Sequence, residues 1–119
     1  MAEVFTWTTA DLEFVLRDSS GEVPEGLLEG VSELIVTISQ TGSLIEKRLT
    51  NDEVVIDPQE AIVSIHLTQA ETGKLKGGTK SAPKKASCQV NIYYATTQRS
   101  ATYETELSVL RNLHPKRLP

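Results

Sequence analysis

Ile62-Val63-Ser64-Ile65-His66-Leu67-Thr68-Gln69-Ala70-Glu71-Thr72-Gly73-Lys74-Leu75 is the stretch on which the fold turns, with Ser87-Cys88-Gln89-Val90-Asn91-Ile92-Tyr93 as its partner. Val63, Ile65 and Leu67 fall on one side of an extended chain and Ser64 and His66 on the other, the period of a half-buried strand. The alternation stops at Thr68. That residue precedes Glu71 by three positions, the spacing of a capping box, in which each side chain satisfies a free backbone N–H of the first helical turn. Gly73 and the Gly77-Gly78 pair leave the helix no room to grow. The unit therefore reads as a strand, one short helical turn near 68–75 with Leu75 as an apolar plug, a loop and a second strand.

Period-two patterning continues on both sides of this unit. Val4-Phe5-Thr6-Trp7-Thr8-Thr9 suits an edge strand or extended arm. Leu12, Phe14 and Leu16 then alternate with Glu13, Val15 and Arg17. Asp18-Ser19-Ser20-Gly21 is a turn signal, and the segment on to Gly30 reads as an acidic loop around the apolar pair Leu27-Leu28. Leu34, Val36 and Ile38 share one face of a strand from Ser32 to Gln40, with Ile35 out of pattern. Thr41-Gly42-Ser43 turns it into a hairpin with Leu44 to Leu49. A short strand from Glu53 to Ile56 closes at Asp57-Pro58, because proline has no N–H for a ladder. After the basic segment Lys76 to Lys85, expected to be a mobile loop, Cys88, Val90, Ile92 and Tyr94 alternate with polar residues. The last strand, about Ala101 to Leu110, sets Tyr103, Thr105, Leu107 and Val109 against Thr102, Glu104, Glu106 and Ser108.

About seven short strands with one-sided apolar faces predict an all-β fold, an antiparallel sandwich or barrel. No segment keeps a 3.6-residue apolar period for three turns, which argues against a helical fold. At 119 residues the chain suits one domain, read as residues 1–113, with 114–119 as a flexible basic tail. The formal charge of −4 gives no general attraction to nucleic acid or anionic membrane. The charge is nevertheless segregated: Lys74, Lys76, Lys80, Lys84 and Lys85 fall in a stretch without acids, whereas Glu22, Glu25, Glu29 and Glu33 crowd the earlier loop.

Candidate chemistry is sparse. Cys88, the single cysteine, sits on an apolar strand face and is expected to be buried and inert; with only two histidines it cannot build an ordinary structural zinc site. No metal or cofactor is expected. Ser64 and His66 share a strand face, a pairing common on solvated strands, and no third group to orient the imidazole is evident. Glu104 and Glu106 read as solubilising residues that guard an edge. Gly77-Gly78-Thr79-Lys80-Ser81 lacks the spacing of a phosphate loop. No apolar run approaches a membrane span, and the N-terminus has no secretory pattern, so the chain is expected to be intracellular when made.

The order of Phe5-Thr6-Trp7-Thr8-Thr9, Val36-Thr37-Ile38-Ser39-Gln40 and Val63-Ser64-Ile65-His66-Leu67-Thr68-Gln69-Ala70-Glu71-Thr72, leading to Cys88-Gln89-Val90-Asn91-Ile92, resembles small tail or baseplate-associated proteins of phages and prophages of Gram-positive bacteria. It is similar to the N-terminal Ig-like domain of their upper baseplate proteins. The resemblance runs over roughly residues 5–113, and Leu-Thr-Gln-x-Glu-Thr is its most specific phrase. The acidic and basic loops look longer than that family's connections. The resemblance implies a non-enzymatic virion component, made in the host bacterial cytoplasm, whose partners are other tail or baseplate proteins and copies of itself. The expected interface residues are Phe5, Trp7, Lys76, Lys80, Lys84 and Lys85. The alternative is a sandwich that binds carbohydrate or a cell-surface polymer, which requires an exposed aromatic platform drawn from Trp7, Tyr93 and Tyr103.

Overall fold

Leu34, Val36 and Ile38 have no exposed surface, and the strand that carries them, β3 (Val31–Gln40), is central to the larger of two sheets. A computed structural model of the protein describes residues 2–96 and 100–113; the expected basic tail at 114–119 lies outside the described residues. The other strands are β1 (Ala2–Phe5), β2 (Ala10–Val15), β4 (Ser43–Arg48), β5 (Val54–Asp57), β6 (Ile62–Leu67), β7 (Lys84–Tyr94) and β8 (Ser100–Leu110), and the one α-helical turn among the described residues is α1 (Gln69–Thr72). One sheet has the order β1-β8-β7-β3-β4 and the other β2-β6-β5. With β2, β6 and β5 as the B, E and D strands and β3, β4, β7 and β8 as C, C′, F and G, this is the immunoglobulin arrangement. The fold is an all-β sandwich, as the alternation predicts.

The inner faces match the sequence pattern closely. Val36 pairs with Val90, Ile38 with Cys88 and Leu34 with Ile92 across β3 and β7, while Leu12 and Phe14 of β2 pair with Ile65 and Val63 of β6. These residues, with Leu107 and Val109 of β8, form one buried cluster between the sheets. At roughly 1.5–3 kcal/mol for each large apolar side chain taken from water, the cluster is the main favourable contribution to folding. Leu27 and Leu28 pin the acidic loop over one end of it, and the Tyr94 hydroxyl donates to the Leu27 carbonyl at 2.6 Å.

Three expectations need correction. There are eight strands rather than about seven, and the larger sheet is mixed. The N-terminal stretch is a true edge strand, held by Val4 in the core, and it pairs parallel with β8, Val4 opposite Val109. It runs parallel because Thr6 to Thr9 carry the chain across to the other sheet instead of returning it in a hairpin. The basic segment is also less free than expected. β7 begins at Lys84, and Gly78 bonds the end of β8 on both sides, its N–H to the Val109 carbonyl at 3.0 Å and its C=O to the Arg111 N–H at 2.8 Å. At the preceding residue a Cβ would stand 2.6 Å from the Leu110 and Arg111 backbone, so Gly77 is what permits this approach.

Candidate interaction surface

Lys74, Lys76, Lys80, Lys84 and Lys85 all lie exposed at one end of the sandwich. Their placement is set by backbone ties. Gln40, at the end of β3, accepts from the Lys76 N–H at 2.6 Å and donates to its carbonyl at 2.9 Å, and Ser43 donates to the Lys74 carbonyl at 2.6 Å. Lys85 reaches Ser108 at 3.1 Å and lies 4.0 Å from Glu106. Lys74, Lys76, Lys80 and Lys84 have no carboxylate partner among the described residues.

Two of the expected interface residues meet here. Phe5 and Lys80 line one surface depression of about 540 Å³ together with Leu110, Arg111 and Leu113. Phe5 is 49% exposed and Leu113 72%, an apolar pair framed by cations. Leu113 is not among the interface residues expected from the sequence, because it follows the last strand and belongs to no alternating pattern. Its signal is an apolar residue between Arg111 and further basic residues, beyond a strand end that must be capped.

Trp7 belongs elsewhere. It occupies left-handed backbone (φ 61°), and its indole covers Gly73, where a Cβ would come within 2.5 Å of the ring. The Gln69 amide donates to the Trp7 carbonyl at 2.9 Å, and Thr72 both accepts from the Thr8 N–H at 3.0 Å and donates to the Thr8 carbonyl at 2.6 Å. Trp7 thus clamps the β1–β2 crossing onto α1 and is only half exposed. The same turn explains the whole phrase Thr68-Gln69-Ala70-Glu71-Thr72. Thr68 and Glu71 form the reciprocal capping box, at 3.2 Å and 2.9 Å. Glu71 also binds Lys47, an inward-facing lysine of β4, at 2.7 Å. Burial pushes the Glu71 carboxyl up, but the Lys47 ammonium and the Thr68 N–H together hold it below its ordinary range. The most specific phrase in the chain is a structural clamp between the two sheets.

The residues weighed for chemistry are placed apart or already engaged. His66 Nδ1 lies 2.7 Å from Asp11 Oδ1, a partner that cross-strand register supplies and sequence spacing could not reveal. Both groups are largely exposed, a setting in which an ion pair contributes about 0–1 kcal/mol. The described hydrogen bond of the imidazole is to Asp11 rather than to Ser64. Cys88 is buried, and desolvation pushes its thiol up to about 11, far from the thiolate a nucleophile needs. Glu104 accepts from Gln89 at 3.0 Å. Among the described residues no group of three or more His, Cys, Asp or Glu is arranged to hold a metal ion. The aromatic residues do not form a platform: Trp7 covers α1, Tyr93 is exposed on the outer face of β7, and Tyr103 is on the inner face of β8.

Comparison with known proteins identifies no relative. No family model, curated protein or solved structure matches the chain.

The charge map along the strands is nonetheless definite. The acidic loop, with Glu22, Glu25 and Glu29 exposed, ends at Gly30, whose carbonyl accepts from the Ala95 N–H just past the end of β7. The basic segment feeds the start of the same strand. The eleven residues of β7 therefore separate the two by about 33 Å at the usual strand rise. Acid and base occupy opposite ends of a molecule 47 Å long.

Proposed function

We propose that the protein is a non-enzymatic structural component of a phage or prophage tail or baseplate, and that it acts by docking its charged ends against neighbouring subunits. The observation that carries this reading is the segregation of charge: exposed lysines, Lys74, Lys76, Lys80 and Lys84 of them without a carboxylate partner among the described residues, at the end that holds Phe5 and Leu113, and exposed glutamates at the other. Unlike ends attract, and a contact between unlike ends is heterologous, so it propagates into rings or stacks rather than stopping at a pair. Repeating assemblies of that kind are what a tail requires. The resemblance of Phe5 to Leu113 to small baseplate-associated proteins supplies the biological setting.

Light scattering across a range of salt concentrations tests the mechanism. The protein, alone or mixed with its tail partners, associates at low ionic strength. Raising salt through about 0.1–0.5 M weakens the association as the screening length contracts below about 10 Å. A Lys80→Glu, Lys84→Glu double variant loses it at every salt concentration. Association that ignores both salt and the two substitutions contradicts charge-matched docking.

A further inference from the structure

A constant-type immunoglobulin sandwich has one more strand, beside the strand equivalent to β2 in the smaller sheet. Here the N-terminal strand lies wholly in the larger sheet, beside β8, and no described residue pairs with the outer edge of β2. The ladder phase says which groups that edge offers. The Leu16 N–H bonds the Ala61 carbonyl at 2.9 Å, and alternate residues of an antiparallel pair bond the same neighbour, so Leu12 and Phe14 face β6. Asp11, Glu13 and Val15 therefore direct their backbone N–H and C=O groups away from the sheet.

A second open edge faces the first. β1 covers β8 only from Leu107 to Leu110. The Leu110 carbonyl accepts from the Thr6 N–H on the β1 side, so in the same phase the Glu106 carbonyl faces the Ala2 N–H, whereas the Glu106 N–H and both backbone groups of Glu104 point to that side with no described strand beside them. Between the two edges runs a cleft of about 420 Å³, floored by Phe14, Cys88, Val90 and Tyr103. Its exposure has a telling detail. Thr105 is on the inward set of β8 with Leu107 and Val109, yet Thr105 is exposed and they are buried. The sandwich is uncovered where the extra strand would lie.

We infer that this cleft accepts an extended segment of a partner protein, one that alternates apolar with lysine or arginine side chains and completes the sandwich as an added strand. Main-chain hydrogen bonds to β2 and β8 give such augmentation its affinity, and alternate side chains give its specificity. The apolar floor takes one set of side chains. Glu13, Glu104 and Glu106 on the rim take the other. Arg17 also lines the cleft, held by its hydrogen bonds to the Leu16 and Glu60 carbonyls at 2.8 Å and 2.7 Å, and Lys85 lies 4.0 Å from Glu106, so the lining sets three carboxylates against one guanidinium and stays acidic. The same rim opposes pairing with the β2 edge of a second copy, which would bring Asp11 and Glu13 against their own equivalents. The inference is independent of the charged ends, which lie along the strand axis rather than at this side.

The test uses the full chain and a short synthetic peptide of alternating lysine and valine, followed by amide-resolved hydrogen exchange. The expected result is saturable binding that protects the amides of Glu13, Val15, Glu104 and Glu106. Glu13→Pro, which removes one outward N–H and leaves the bonds to β6 in place, should weaken binding about tenfold, or 1.4 kcal/mol. A Glu104→Gln, Glu106→Gln double variant should weaken it several-fold and flatten its salt dependence. Equal binding of an alternating glutamate and valine peptide, or binding that leaves these four amides unprotected, would overturn the proposal. So would protection of the same amides in the protein alone that grows with concentration, which would identify the occupant as a second copy.

Discussion

Gly73 has no side chain because the Trp7 indole takes the place one would fill. Gly73→Ala must displace the ring or the turn, and overpacking of this kind costs about 1–3 kcal/mol. Thermal unfolding should show the loss, with a shift in emission from Trp7, the protein's single tryptophan. In a Trp7→Ala background the same substitution should be close to neutral. An additive effect of the two changes would show that the indole does not rest on Gly73. Trp7 itself could not be placed from sequence. A local pattern says that a residue is extended or exposed, but here the neighbour is α1, more than sixty positions away, and the left-handed backbone at Trp7 leaves no signal in composition. Cys88 is the opposite case. Its position in a clean alternation was enough to place it in the core, because parity assigns the face of a strand and Cys88 lies opposite Ile38, where the second sheet covers that face.

Among the elements, α1 was the most legible, since a capping box is written in two residues at fixed spacing. Its connection to β4 was not. Lys47 lies between Ile45 and Leu49 on the inward parity of its strand, and the carboxylate that makes this tolerable belongs to Glu71, in the turn after β6. Glu71→Gln leaves the Lys47 ammonium nearly buried without a counter-charge, and the expected loss is about 2 kcal/mol, moderated because Glu71 is partly exposed. The pH dependence has a definite sign. The folded-state carboxyl titrates below its usual 4.5, so the contribution is fully present above that value and is lost as pH falls through the lowered one. Urea unfolding of both proteins from about pH 7 to about pH 3 should therefore show their stabilities converging in acid. A gap that stays constant with pH would remove the ion pair from the account. The parallel pairing of β1 with β8 was equally hidden, because it joins residues more than a hundred positions apart and parallel pairing has no turn motif to announce it.

At the scale of the whole molecule, the charge asymmetry was visible in the sequence, but its meaning came from topology. Only when β7 runs from the basic segment to the acidic loop do the two become opposite ends. Phe5 and Lys80 were both expected at an interface, and the pairing of β1 with the end of β8 brings them into one depression, to which Leu113 adds. The cleft between β2 and β8 could not be read at all, because it is created by the sheet in which the first strand lies. The central claim is that these surfaces serve a viral tail, and immunogold electron microscopy of purified particles tests it most directly, with an antibody to this protein and a lysate lacking its gene as control. The account predicts label at the tail or its tip and none in the control. Intact, unlabelled particles, with the protein confined to the soluble fraction, would contradict it.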